Sequence, residues 1–330
     1  SILFVSPIIS RFGKAAIAKP KGCKIGTRKI DYHITGLKKF GISILENDDF
    51  LEMTLIGKHL TGANLKLPFP SVGATENFII TGTCATGKTV IENCAVEPEI
   101  MELIKFLQRC GVKIDVSPNR KITIEGSGKL NLNNAEITII PDRIETISYA
   151  VATISTGGDI FIEGARAEII EETIKIFEQI GAGVEVKDNG IRFFYKGELK
   201  PIDLTTAVYP GFVTDFQQPF AVLLSQIKGT STIHETIFEN RFMYLDLLNP
   251  LVKLGDKFKI SNKCIGEKCR FSGKNFRHSA TICGPVEFGT GEFSIPDLRA
   301  GFALLNVSLL SDGIKITNLT TLFRGYEKPI

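Results

Sequence analysis

The chain has 330 residues, enough for two ordinary domains of roughly 100 to 200 residues each, and 43% of them are hydrophobic. Its 39 basic and 36 acidic side chains nearly balance, so the formal charge of +3 gives no reason to expect nucleic acid or a membrane surface as a partner. The longest apolar runs, residues 220–224 and 302–310, fall well short of the ~20 residues of a membrane span. No signal peptide is visible, and the seven cysteines lack the close spacing of a disulfide scaffold. A cytoplasmic protein with reduced thiols is expected.

From the first residue an apolar run reads as helix up to Gly13. Because the chain starts inside that run and at Ser1, it is expected to lack an N-terminal segment. Gly13 is the first of five glycines, with Gly87, Gly158, Gly229 and Gly313, that each separate an apolar helical run from a strand, at spacings of 74, 71, 71 and 84 residues. A second register, Gly41, Gly111, Gly181 and Gly255, ends further helical runs at spacings of 70, 70 and 74. Such a period marks a repeated supersecondary unit, and aligning the copies gives the order β-α-β-α-β-β. The fold class is therefore α/β, with sheets that cover helices.

After the first strand, residues 19–29 carry five cations around Cys23, which follows Gly22. Neighbouring cations lower a thiol's pKa and leave it reactive; on residue chemistry alone a solvated basic loop fits equally well. Further on, Gly82-Thr83-Cys84-Ala85-Thr86-Gly87-Lys88-Thr89 has the letters of a phosphate-binding loop. Its context is reversed, since a helical run precedes it and a strand follows, so nucleotide binding there is not expected.

In the second copy Ile100, Leu103, Ile104, Leu107 and Cys110 share one helical face, as Ile170, Thr173, Ile174, Phe177 and Ile180 do in the third. Cys110 thus reads as core. Strands are expected over residues 112–116, 121–125, 136–140, 184–186 and 192–195. Pro141-Asp142-Arg143 interrupts the series as a candidate hinge, and Asp142, Arg143 and Glu145 read as a structural ion-pair group.

Asp215, before the helical run 216–224, and Asp297, which opens another helix, each suit either helix capping or chemistry. Glu239-Asn240-Arg241 and Arg324-Gly325-Tyr326-Glu327 follow the strands of successive copies, so pseudo-symmetry could direct both arginines to one place. Between Gly255 and Asp297, the spacing C-x4-C-x8-H-x4-C of Cys264, Cys269, His278 and Cys283 holds enough ligands for zinc. It lacks the usual C-x2-C knuckle, and a hairpin-rich insertion without metal is expected.

Taken together, the residues resemble a family. Gly22-Cys23 with Arg28 and Asp31, Ser71-Val72-Gly73-Ala74-Thr75, Glu97-Pro98-Glu99-Ile100, Pro141-Asp142-Arg143-Ile144-Glu145-Thr146, Thr214-Asp215, Phe238-Glu239-Asn240-Arg241-Phe242-Met243, Asp297-Leu298-Arg299-Ala300 and Arg324-Gly325-Tyr326-Glu327 stand in the order seen in the UDP-N-acetylglucosamine 1-carboxyvinyltransferases. These are the enolpyruvyl transferases of peptidoglycan synthesis, the target of fosfomycin. The resemblance implies a two-domain inside-out α/β barrel of repeated β-α-β-α-β-β units of about 70 residues, with the active site in the cleft between the domains. It implies a first domain over residues 1–140 carrying the Cys23 lid loop. A second domain over residues 141–330 would carry Asp215, Arg241, Asp297, Arg299 and Arg324.

The implied reaction moves the enolpyruvyl group of phosphoenolpyruvate to the 3'-hydroxyl of UDP-N-acetylglucosamine and releases phosphate. By resemblance Cys23, Asp215 and Asp297 are catalytic: Cys23 as proton donor, Asp215 as base or hydrogen-bond partner at the sugar hydroxyl, Asp297 as a second carboxylate. Arg28, Arg241, Arg299 and Arg324 are implied at phosphoenolpyruvate. Arg28, Lys29, Ile30, Asp31, Tyr32, Phe69, Pro70, Ser71, Val72, Asp215 and Ile237 are implied at the nucleotide sugar, although Lys29 and Pro70 depart from the family's usual residues. No cofactor and no metal is implied, the partners are these small molecules and neither nucleic acid nor membrane, and the oligomeric state is left open. Family residues that would precede Ser1 lead to the expectation that the chain alone is poorly active. Two other readings share part of the pattern: the 3-phosphoshikimate 1-carboxyvinyltransferase of the shikimate pathway, and an inactive partial-gene scaffold. Gly22-Cys23 and the nucleotide-sugar loop distinguish the first of these from the peptidoglycan enzyme.

Overall fold

The structure, a computed structural model, describes residues 1–19, 30–128, 133–265, 269–327 and 329. Cys23, Arg28 and Lys29 lie outside the described residues. Two compact units part between Ile140 and Pro141.

The first unit runs α1 (Val5–Phe12), β1 (Lys14–Ala18), α2 (Asp31–Lys39), β2 (Ile42–Glu46) and β3 (Phe50–Leu55). It continues with β4 (Asn64–Lys66), α3 (Val72–Cys84), β5 (Thr86–Glu92), α4 (Pro98–Arg109), β6 (Lys113–Ser117) and β7 (Lys121–Ser127). From β4 to β7 the order is the expected β-α-β-α-β-β. Its strands lie as β4-β5-β7-β6, with β4 parallel to β5 and the other pairs antiparallel. The preceding copy forms the antiparallel sheet β1-β3-β2.

The second unit repeats the plan. It begins with α5 (Arg143–Ser155), β8 (Asp159–Glu163), α6 (Glu171–Gln179), β9 (Gly183–Lys187) and β10 (Gly190–Phe194), whose sheet order is β8-β10-β9. Then come β11 (Asp203–Thr205), α7 (Gln217–Gln226), β12 (Gly229–His234), α8 (Met243–Leu248), β13 (Phe258–Ser261) and β14 (Ser279–Gly284), with sheet order β11-β12-β14-β13. Here too the first pair is parallel and the others antiparallel. Last are β15 (Gly291–Ser294), α9 (Leu298–Leu310) and β16 (Ile314–Thr317), with β15 and β16 parallel.

Hydrophobic patterning decides which helices lie inside. On α4, Ile100, Ile104 and Leu107 are buried while Lys105 and Gln108 face solvent, the stripe of an outer helix. By contrast α3 is buried on almost every side, and α5, α7 and α9 pack on one another with most of their residues buried. Strands such as β7 bury Ile122 and Ile124 while the alternating Lys121, Thr123 and Glu125 are half-buried or exposed, so the sheets cover the helices. Within each unit the largely buried helices, α3 in the first and α5, α7 and α9 in the second, are covered by sheets, as the enolpyruvyl transferase-like plan implies; the sheets stay separate, and none closes into a barrel among the described residues.

Several local expectations need adjustment. Residues 136–140 form no strand and have no ladder partner among the described residues; just before them Asn133 N donates to Cys110 O at 3.0 Å. Positive φ falls on Gly157 (73°), one residue before Gly158. Cys283 lies on β14 opposite Thr230, at the other end of the strand from His278, and so parts from Cys264 and Cys269. The reversed context of the phosphate-loop letters needs no adjustment: they span the end of α3 and β5, where Lys88 is paired with Glu125. No helix among the described residues is long and apolar enough to cross a membrane.

Candidate active site

In the second unit, three separated segments bring one carboxylate between two guanidinium groups. Asp215 stands in the single 3-10 turn Thr214–Phe216 ahead of α7, Arg241 lies between β12 and α8, and Arg299 is in the first turn of α9. Arg241 Nη2 donates to Asp215 Oδ1 at 2.6 Å, and Arg299 Nε donates to Asp215 Oδ2 at 3.1 Å. Burial opposes the charge on Asp215, but the two guanidinium groups outweigh it and hold the carboxyl at about 2. It is ionised at neutral pH.

Asp215 does not cap its helix, since the turn is capped by Val213 without a side-chain hydrogen bond. Asp297 does: it N-caps α9 by accepting from Arg299 N at 3.0 Å and Ala300 N at 3.1 Å. That cap fixes the turn from which Arg299 projects. The Arg299 guanidinium lies 5.5 Å from the centre of the Tyr326 ring, and its Nη1 is buried with no acceptor among the described residues. Asp142 likewise caps α5, through Ile144 N at 2.7 Å and Glu145 N at 3.1 Å.

A residue not singled out from sequence organises the cluster from behind. Glu235, fully buried just past β12, accepts from Thr206 Oγ1 (3.1 Å), Ile237 N (2.8 Å) and Phe238 N (3.1 Å) on one oxygen, and from Thr214 Oγ1 (2.7 Å) and Gln217 Nε2 (3.4 Å) on the other. Burial pushes its carboxyl upward, against the pull of Arg241 and these donors. Thr214 Oγ1 in turn accepts from Arg241 Nη1 at 2.7 Å. With its amide assigned so that oxygen faces Arg241, Gln218 accepts from Arg241 Nε at 2.7 Å, and the guanidinium lies 5.0 Å over the Phe238 ring. Arg241, only 4% exposed, thus has a defined partner on every nitrogen. Sequence offered one weak signal for Glu235, an acidic residue directly after a strand-like run and six positions before Arg241.

Of the other expected residues in this unit, Ile237 lies in the turn that Glu235 closes, and Arg324 is exposed at the end of the 3-10 segment Leu319–Arg324. In the first unit the expected nucleotide-sugar residues gather at two helix starts. Ile30, Asp31 and Tyr32 begin α2, while Phe69, Pro70, Ser71 and Val72 lead into α3, where Ser71 Oγ accepts from Ala74 N at 3.4 Å. The two helices are tied together: Asn77 Nδ2 and His33 Nδ1 are 3.0 Å apart, and burial lowers the His33 pKa to about 4, which keeps the imidazole neutral. A cavity of about 110 Å³ between residues 168–173 and residues 209–216 contains none of the arginines.

Comparison with solved structures places this architecture. The enolpyruvyl transferase NikO from Streptomyces tendae matches with a TM-score of 0.80 at 20% identity, over 97% of this chain and 72% of that one. EPSP synthase from Acinetobacter baumannii matches with a TM-score of 0.68 at 16% identity, over 100% of this chain and 75% of that one. The fold is that of the enolpyruvyl transferases.

Sequence relatives narrow the class. The family model for EPSP synthase (3-phosphoshikimate 1-carboxyvinyltransferase) matches residues 1–329. UDP-N-acetylglucosamine 1-carboxyvinyltransferase of Protochlamydia amoebophila is 42% identical over 334 aligned positions, 99% of this chain and 70% of that protein. The same-named proteins of Chlamydia trachomatis serovar D (45% over 309 positions, 92% of this chain and 68% of that one) and Halalkalibacterium halodurans (39% over 327 positions, 99% and 70%) are similar. The chain belongs to the EPSP synthase family and, within it, to the UDP-N-acetylglucosamine 1-carboxyvinyltransferases, which are transferases.

Proposed function

We propose that the chain transfers the enolpyruvyl group of phosphoenolpyruvate to the 3'-hydroxyl of UDP-N-acetylglucosamine with release of phosphate, in the cytoplasm, as a step of peptidoglycan synthesis. The single observation that carries the chemical part is the Arg241–Asp215–Arg299 cluster. Two guanidinium groups already hold a carboxylate, and the carboxylate of phosphoenolpyruvate presents the same two oxygens to the same donors. Arg299 Nη1, which has no acceptor among the described residues, supplies a further donor for it.

Exchange of one carboxylate for the other has a consequence for acid–base chemistry. With Arg241 and Arg299 drawn toward the substrate, Asp215 loses the charges that hold its pKa at about 2 and becomes basic enough to take the sugar hydroxyl proton. The freed sugar oxygen bonds to C2 of the enolpyruvyl group as C3 accepts a proton, for which Cys23 is the proposed donor. Loss of that proton as phosphate leaves restores the double bond, so atoms and charges balance. Arg28 and Arg324 are proposed at the phosphate, and Asp297 acts by fixing the Arg299 turn as well as by adding negative charge nearby. Ile30, Asp31, Tyr32, Phe69, Pro70, Ser71, Val72 and Ile237, with Arg28 and Lys29, are proposed to contact the nucleotide sugar.

The test is phosphate release from phosphoenolpyruvate with UDP-N-acetylglucosamine as acceptor. Asp215→Asn is expected to lower kcat by about 10²-fold or more, as loss of a general base does, and Cys23→Ala to abolish turnover and fosfomycin labelling. Wild-type rates in both variants would refute the assignment.

A further inference from the structure

We propose that His234, Cys264, Cys269 and His278 form a structural zinc site that clamps the β13–β14 hairpin to the end of β12. The sheet order β11-β12-β14-β13 brings the four residues to one end of the same sheet. His234 ends β12, His278 immediately precedes β14, and Cys264 follows β13 by three residues. Cys269 comes from the turn that connects them. One donor atom from each lies within 4.8 Å of all the others.

The spacing is the one that a bound metal requires. Zinc bonds of ~2.3 Å to sulfur and ~2.05 Å to nitrogen, at a tetrahedral centre, put sulfur about 3.8 Å from sulfur and about 3.6 Å from nitrogen. Cys264 Sγ is 3.6 Å from Cys269 Sγ and 3.5 Å from His278 Nε2. His278 Nδ1 lies 2.7 Å from Phe276 O, which holds that proton on Nδ1 and leaves the Nε2 lone pair facing the sulfurs. His234 is 1% exposed, and among the described residues neither of its ring nitrogens has a hydrogen-bond partner in good geometry. Unpaired polar atoms are rarely buried without a reason; a bound cation supplies one. Phe271 N approaches Cys269 Sγ at 3.4 Å, as a donor to a thiolate does, and the buried Phe271 ring covers His278 at 5.7 Å between centres.

Two sulfurs and two imidazoles in tetrahedral array select zinc over oxygen-seeking magnesium or calcium. Four protein ligands leave no open position, so the site is structural. A Cys264–Cys269 disulfide would use two of the four residues and leave both histidines unexplained. Cys283, the fourth ligand suggested by sequence spacing, is five residues beyond His278, roughly 16 Å along an extended strand. The place of that cysteine is taken by His234, from a strand too distant in sequence for a spacing rule to find.

The site adjoins the arginine cluster through the backbone. Glu235, next to His234, donates from its N to His278 O at 2.8 Å, and Arg270 donates to Ile237 O. Metal loss would therefore loosen the segment that holds Arg241. The decisive experiment is metal analysis of the protein purified from zinc-supplemented cells without chelators, together with the absorption spectrum of the cobalt-substituted protein. Stoichiometric zinc, a tetrahedral thiolate–cobalt spectrum, and loss of both in Cys264→Ser and Cys269→Ser but not in Cys283→Ser are expected. A wild-type protein with zinc below about a tenth of stoichiometry, or one whose zinc survives Cys264→Ser and Cys269→Ser, would overturn the proposal. So would a Cys264–Cys269 disulfide in protein prepared under reducing conditions.

Discussion

Asp215 and Asp297 look alike in the sequence, each placed just before an apolar helix, yet their side chains do different things. Asp297 caps α9, whereas Asp215 turns to Arg241 and Arg299, which are 26 and 84 residues away. Local pattern cannot separate them because the deciding partners are remote. The same holds for Glu235 and Thr214, whose hydrogen bond is made across 21 residues and sets the Arg241 position. Thr214→Val is expected to destabilise the fold by about 1–3 kcal/mol, since Arg241 Nη1 loses its acceptor in a buried setting. It should also raise KM for phosphoenolpyruvate; denaturant unfolding and initial rates check the two effects. For Asp215 the folded pKa of about 2 is below the ordinary 3.8, so its contribution to stability is present above pH 3.8 and is lost as pH falls toward 2. Asp215→Asn should therefore cost most stability near neutrality, and its difference from wild type should narrow in urea unfolding series taken below about pH 4.

Glycine punctuation made the elements legible. Gly41, Gly111 and Gly181 all have φ near +90°, a conformation that other residues avoid, so the helix ends they mark are written in the sequence by chemistry. Gly111→Ala is expected to cost about 1–2 kcal/mol from backbone strain, with its new Cβ also 3.1 Å from Asn133 Nδ2. A different glycine lets two helices approach. A Cβ on Gly36 of α2 would stand 2.0 Å from the buried Phe78 ring of α3, so Gly36→Ala should be more damaging than Gly111→Ala in thermal unfolding. The expected strand at residues 136–140 failed for the opposite reason. Strand-like residues form a ladder only where a neighbour offers free backbone groups, and sequence periodicity does not report the neighbour.

At the scale of the molecule, the repeated β-α-β-α-β-β plan was readable because each copy reuses one hydrophobic pattern with its own turn. The sheets β4-β5-β7-β6 and β11-β12-β14-β13 share strand order and sense. Three of the four proposed zinc ligands, Cys264, Cys269 and His278, were readable because they lie close together in sequence, while His234 joins them by sheet pairing. Acceptor choice tests the account most directly. In the protein as its gene encodes it, phosphate release from phosphoenolpyruvate should require UDP-N-acetylglucosamine and should not occur with shikimate 3-phosphate. Release with shikimate 3-phosphate alone, or with neither acceptor, would contradict the proposed function.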